Sequence, residues 1–314
     1  MKTSITITTL ILLTSVPLTS GHSPLSNTNL SSHTPHTMSP QDPHPAIIQC
    51  SIRNFITASH ILHHHAVLDA YGHLSFRHPF SPTTFFMSRN IAPATISSPD
   101  DLIEYHITDA SPVDPSAAAN KGYAERHIHS EIHKRHPSVR AAVHSHSEAV
   151  VPYSVSGVPL RPVYHMAGFL RASGAPVFEI SEHWREGDVK DMLVRNEWLG
   201  AAHAAHFDDG VAVVLMRGHG FTAVGGSVEE VVLRAVYTAK NAAIQTGALT
   251  MRGAAAFLAG GGQVSTSGAA SDGIRYLSQE EAEAATEMTR WSALRPWGLW
   301  VREVEACGLY VNGA

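Results

Sequence analysis

The stretch AERHIHSEIHKRHPSVRAAVHSHS, residues 124–147, changes its periodicity partway along. In its first half Ile128 and Ile132 stand four apart, the spacing of one helix face, and Pro137 stops the pattern. The second half, from Val139, is an apolar run that ends in His144-Ser145-His146 and reads as a strand. Residues two apart on a strand share a face, so His144 and His146 project together and Ser145 opposes them. Two imidazoles on one face can share a metal ion, although taken alone the pair also reads as two hydrogen-bonded core histidines.

Outward from this stretch the same alternation of helix and strand continues. Ile48, Ile52 and Ile56, with Ile61 and Leu62, mark a helix that ends near His64. HLSFRH (73–78) and TTFFMSR (83–89) read as strands, and residues 97–115 as a loop, a short strand and a loop. Residues 150–168 suggest strand and turn, 175–180 a strand, and 189–206 an amphipathic helix. VAVVLMRGHGFTAVGGS (211–227) reads as two strands joined by Gly218-His219-Gly220. A long helix follows, opened by Ser227 and Glu230 at capping-box spacing. Residues 254–272 are Gly, Ala and Ser rich and suggest an excursion, and 278–306 a terminal helix broken at Pro296. The pattern is that of one α/β domain over residues 46–314.

The chain has 314 residues, a formal charge of -5 and 44% hydrophobic residues. No basic run suggests nucleic acid as a partner. Residues 1–21 read as a secretory signal: Lys2, an apolar and Thr-rich stretch, then the small residues Thr19 and Gly21. That stretch is too short to span a membrane, and no other segment is long enough. Export is therefore the expected localisation, with the cytoplasm as the alternative. Residues 22–45, rich in Ser, Thr, Pro and His, read as a disordered leader. Cys50 and Cys307 make no disulfide framework; independent buried thiols are expected, with a pair joining the two ends of the domain in an oxidising compartment as the alternative.

His219 stands at the end of a strongly apolar strand between two glycines, a position packing explains poorly. With His144 and His146 it completes three histidines, the protein half of a catalytic zinc-type site. Glu125 begins the helix nineteen residues before His144. A helix and a returning strand bring such a residue beside the strand's far end, where a carboxylate can bind the metal or move a proton. His63-His64-His65 is no comparable site, because consecutive residues on a helix point in different directions.

These motifs together resemble the class II aldolase/adducin family. The resemblance covers about residues 50–250 and rests on the combined spacing of AERHIHSEIHKRHPSVRAAVHSHS and LMRGHG. It implies a three-layer α/β/α sandwich around a mainly antiparallel sheet, and a homotetramer. It implies His144, His146, His219 and Glu125 as ligands of one divalent ion, zinc first, with manganese, cobalt or iron as alternatives. Members that cleave sugar phosphates carry a Ser/Thr-Gly-Asn turn where this chain has Tyr71-Gly72-His73, and a small phosphate loop where it has FMSRNIAPA. Ser88, Arg89, Arg77 and Tyr71 become candidate substrate contacts. Arg89 offers a planar fork to a carboxylate, with an ordinary salt bridge as the competing reading. YGHLSFRHP, VPLRPVYHMAGFL and WGLWVREVEA resemble the subgroup of decarboxylases acting on hydroxyaromatic acids and carboxymuconic semialdehydes.

The expected function is that of a metal-dependent lyase: a decarboxylase of a small hydroxy- or oxo-substituted carboxylic acid, working through an enolate whose charge the ion stabilises. Glu125, His165, Tyr164 and His73 are the candidate proton carriers, with Tyr71 a further one. An aldolase for a non-phosphorylated hydroxy-carbonyl compound and a non-catalytic adducin-like scaffold are the alternatives.

Overall fold

The computed structural model describes residues 44–120, 122–259 and 272–314. Helix α1 (His44–His64) is followed by strands β1 (His73–Arg77), β2 (Thr84–Ser88) and β3 (Leu102–His106). Then come α2 (Arg126–Arg135), β4 (Ala141–Ser145), α3 (Val151–Val155), β5 (Val177–Phe178), α4 (Glu197–Ala204), β6 (Val213–Met216) and β7 (Gly220–Gly225). Helices α5 (Val228–Leu258), α6 (Gln279–Ser292) and α7 (Leu294–Ala306) complete the described chain. One seven-stranded sheet has the order β3-β2-β1-β4-β7-β6-β5, antiparallel except between β5 and β6.

The period of two along the strands sorts side chains between two helical layers. Leu74, Phe76, Ala141, Val143, Leu215, Phe221 and Ala223 join one core cluster with residues of α1, α5 and α7. Ala142, Val214, Met216 and Val224 join a second with residues of α2 and α4. The expected sandwich and its mainly antiparallel sheet are thus present. Among the described residues no helix is long and apolar enough to cross a membrane.

Several boundaries differ from the expectation. Helix α1 starts at His44, inside the stretch read as leader, with Pro45 in its first turn, where a missing N–H costs no helical bond. The rest of that leader and the signal segment lie outside the described residues. Residues 189–206 are not one helix. The Asn196 side chain accepts from Leu199 N–H at 2.9 Å and caps α4, so residues 189–195 form a loop. Val151–Val155 is a short helix where a strand was expected, and β5 has only two residues. The terminal helix breaks at Ala293; Pro296 falls in the first turn of α7, where proline is tolerated. Helix α5 runs to Leu258, and most of the Gly-rich excursion lies outside the described residues. Cys50 and Cys307 are both free, and Cys50 is exposed instead of buried.

Candidate metal centre

Strand β4 ends at Ser145, so His144 sits in its last turn of pleat and His146 lies just beyond. β7 pairs beside it, aligning Thr222 with His144, and the β6–β7 turn delivers His219 to the same end. The turn needs its glycines. Gly218 has φ 64, and a Cβ on Gly220 would lie 1.9 Å from the Ser145 carbonyl oxygen. Glu125 occupies the N-cap position of α2 and is 6% exposed. Because α2 runs away from this sheet end and β4 returns to it, Glu125 meets the three histidines.

The four side chains converge. His146 Nε2 lies 3.1 Å from both His144 Nε2 and His219 Nε2. Glu125 Oε2 is 3.7 Å from His144 Nε2 and from His219 Nε2. One ligand atom from each of the four lies within 4.8 Å of the others.

The opposite ring nitrogens are all engaged elsewhere. His219 Nδ1 meets the Met192 carbonyl at 3.1 Å, His146 Nδ1 meets Asp69 Oδ2 at 3.2 Å, and His144 Nδ1 faces Thr222 Oγ1 at 3.4 Å. Carbonyl and carboxylate oxygens only accept, so His219 and His146 carry their protons on Nδ1. Burial takes His219 down to about 4, so its Nε2 bears a lone pair. Burial also holds His144 well below the usual imidazole range, with the neighbouring His219, His73 and His146 adding to the effect. Lone pairs converging at 3.1 Å repel one another unless a proton or a metal ion lies among them. A proton relieves one contact; a shared metal ion relieves all of them. The residues therefore fit a divalent ion, with the outer acceptors orienting each ring as metal-binding histidines require.

Burial pushes the Glu125 carboxyl up to about 7 against the pull of the Val194 N–H, which donates to Oε1 at 3.0 Å. A divalent charge would return it to the ionised form. The Asp69 carboxyl is held below its ordinary value: burial opposes this, but the N–H groups of Tyr71 and Gly72 donate to Oδ1, and His146 faces Oδ2.

His73 is brought to the cluster. It pairs across the sheet with His144, and its Nε2 is 4.0 Å from Glu125 Oε2. Tyr123 packs on its ring at 4.5 Å between centroids, and the Ser88 hydroxyl interacts with the Tyr123 phenol. Ser88 thus reaches the site's edge through Tyr123. Tyr71 is 71% exposed, two residues from Asp69.

The other candidates stand apart. Arg77 is buried and donates to the carbonyls of Val139, Pro82, His133 and His136; it ties α2 and the β2 approach to β1 and has no fork to offer a substrate. That corrects its expected role. Arg89 gives Nε and Nη2 to Asp101 Oδ1 at 2.9 and 2.8 Å, and Asp101 is itself held by the Ser97 and Ser98 amides. The competing salt-bridge reading is the arrangement found. Tyr164 and His165 are not brought to the cluster. Asn241 accepts from the Val163 and Tyr164 amides, which straps this segment to α5, and His165 lines a groove with Tyr237, Met288 and Trp291.

Asp69, Thr222 and the Met192 and Val194 backbone were not foreseen. The DAYGH turn was a readable signal for Asp69, since Asp before such a turn caps its own amides. Thr222 is recognisable only once the β4–β7 register is known. Met192, with φ 70, lies in a loop that reads as helix.

A family model, Class II Aldolase and Adducin N-terminal domain, matches residues 53–246, a span holding all four cluster residues. The decarboxylase tropJ of Talaromyces stipitatus is 51% identical over 268 residues, 83% of this chain and 96% of its own. The 3,4-dihydroxyphthalate decarboxylase of Arthrobacter keyseri is 36% identical over 113 residues, 35% of this chain and 41% of that protein. An aldolase II superfamily protein from Pseudomonas syringae superposes with a TM-score of 0.61 at 20% identity, covering 87% of this chain and 96% of that one. L-fuculose 1-phosphate aldolase from Glaciozyma antarctica PI12 superposes with a TM-score of 0.59 at 18% identity, covering 87% and 94%. The two structural likenesses establish the fold.

Proposed function

This chain belongs to the class II aldolase and adducin family, and from that premise we propose that it is a metal-dependent decarboxylase of a hydroxy- or oxo-substituted carboxylic acid, aromatic or derived from ring cleavage. The observation that carries decarboxylation over aldol cleavage is the likeness to the Talaromyces decarboxylase, which runs through almost the whole of that protein. The relative named for dihydroxyphthalate supports a hydroxylated aromatic acid as the substrate class.

His144, His146, His219 and Glu125 would hold one divalent ion, zinc first, with manganese, cobalt or iron as alternatives. When bound, the ion supplies a Lewis-acid charge that polarises a substrate oxygen. The protein's own part is orientation and proton handling. Asp69, Thr222 and the Met192 carbonyl fix the three ring planes. Departure of CO₂ leaves an electron pair on carbon that must receive a proton. His73 and Glu125 are the buried titratable groups at hand for that transfer. Ser88, behind Tyr123, and the exposed Tyr71 border the same end of the sheet and are proposed as substrate contacts. A homotetramer is proposed from the family resemblance alone, and export from the leader sequence alone.

The test is a mass-spectrometric product screen of metal-loaded protein with dihydroxybenzoates, dihydroxyphthalates, carboxymuconic semialdehydes and hydroxy-keto acids. A product lacking only CO₂ is expected. Cleavage into two carbon fragments would replace this reading by the aldolase one, and an intact panel with no bound metal would favour the scaffold.

A further inference from the structure

The loop before α4, residues 189–195, is tied to the metal cluster by its backbone at two points. The Met192 carbonyl faces His219 Nδ1 at 3.1 Å, and the Val194 N–H donates to Glu125 Oε1 at 3.0 Å. At Met192 the chain turns with φ 70, a costly conformation for a residue with a Cβ. Val194 is fully buried and anchors the loop in the core shared with α2 and α4. The turn brings the residues flanking these ties, Asp191 and Arg195, side by side. Arg195 Nε lies 2.7 Å from Asp191 Oδ2, and Nη2 reaches the same oxygen. Arg195 Nη1 takes part in no bond among the described residues.

This pair stands at the cluster. Behind burial and the Val194 N–H, the charges that act on Glu125 are those of Asp191 and Arg195, and Asp191 acts on His219 as well. Arg195 is 44% exposed and Asp191 30%, so the guanidinium is open to a ligand arriving from solvent. Arg77 and Arg89 are committed elsewhere, Arg77 to four carbonyls and Arg89 to a buried aspartate held by two amides. Arg217, two residues before His219, gives Nε to Glu179 and Nη2 to the Met192 sulfur. Asp191 is held more loosely than Asp101, by the Leu193 N–H at 3.2 Å. A half-exposed pair of this kind stabilises a fold little and is readily exchanged for another carboxylate.

The chemistry says which carboxylate such a fork suits. On the departing group it would stabilise a charge that is lost as neutral CO₂, and so raise the barrier. On a carboxylate that stays it holds the substrate at no such cost. We propose that Arg195 is a substrate-binding residue whose fork takes up a carboxylate that the substrate keeps, while the substrate's oxygens face the metal ion. The inference rests on the proposed function and adds to it that the substrate carries a second acid group.

The test is titration calorimetry of the zinc-loaded protein with two probes. One is 3,4-dihydroxybenzoate, which offers a catechol pair to the ion and one carboxylate; the other is catechol, which lacks the carboxylate. Wild type is expected to prefer the acid. Arg195→Met keeps the stem without the fork and should bind the acid about 10–100-fold more weakly, with catechol affinity and zinc content unchanged. Asp191→Asn weakens the same ion pair but leaves the fork, and should keep the preference for the acid. A merely structural pair would make the two variants alike, and equal loss in both overturns the proposal. Equal affinity of wild type for the two probes, binding of neither, or a preference that survives in Arg195→Met overturns it too. The decarboxylase reading is judged apart from this, by loss of CO₂ in the product screen, since neither probe needs to be turned over.

Discussion

The two faces of the central sheet are made from the same strands and differ in character at the end that carries the histidine cluster. Toward α1 and α5, β1 presents Leu74 and Phe76, β4 presents Val143, and β7 presents Phe221 and Ala223, all in one apolar cluster. Toward α2, the alternate positions around the cluster are His73 and Ser75, His144, and Thr222, every one of them buried and polar, while Ala142 and Val224 further along the same face join the second apolar cluster. One face is held by removal of apolar surface from water. The other buries imidazoles and hydroxyls, which is tolerable only because each has a defined partner or a cation to face. A single residue step along a strand therefore separates fold stability from chemistry.

Substitutions on the two faces should split these properties. His144→Ala should abolish turnover and weaken metal binding by more than the roughly 100-fold of an outer-sphere loss, while the apolar face keeps the protein folded by circular dichroism. Phe221→Ala should cost about 3–5 kcal/mol in denaturant unfolding, with the metal stoichiometry of the remaining folded protein unchanged. Loss of metal in that variant without loss of stability would break the comparison. Asp69→Asn leaves an acceptor for His146 but removes its charge, and should lower metal affinity or kcat by about 10–100-fold. The smallest effect is expected from Arg89→Ala. Its pair with Asp101 is 43% exposed on the arginine side, so unfolding free energy should change by at most about 1 kcal/mol, with KM for the acid substrate near wild type. A large rise in KM would return Arg89 to the substrate pocket.

The polar face was partly legible in the sequence. H-x-H on an apolar strand and His219 between glycines state their geometry locally, because a two-residue repeat and a glycine-bracketed turn are short-range constraints. Glu125 was readable from the helix-and-return arrangement. Arg77 and Arg89 were not, since whether a guanidinium meets a substrate or a carbonyl depends on residues far away: Val139 and His133 for one, Asp101 and its 3-10 turn for the other. The contacts of His73 with His129 and of Ser75 with His133 were hidden for the same reason. His129 and His133 have helical spacing, but their partners on β1 appear only when α2 is laid on the sheet. Helix α4 was overextended because apolar spacing in residues 189–195 resembles a helix until Asn196 caps the chain downstream. Pro296 misled in the other direction, since a proline in a first turn and a proline at a break look alike in one dimension.

The central claim is that His144, His146, His219 and Glu125 together hold one metal ion. The most direct test is inductively coupled plasma mass spectrometry on wild type and His146→Ala, purified identically and saturated with zinc, then dialysed. The account predicts one equivalent per chain in the wild type and almost none in the variant. A variant that keeps a full equivalent would contradict it.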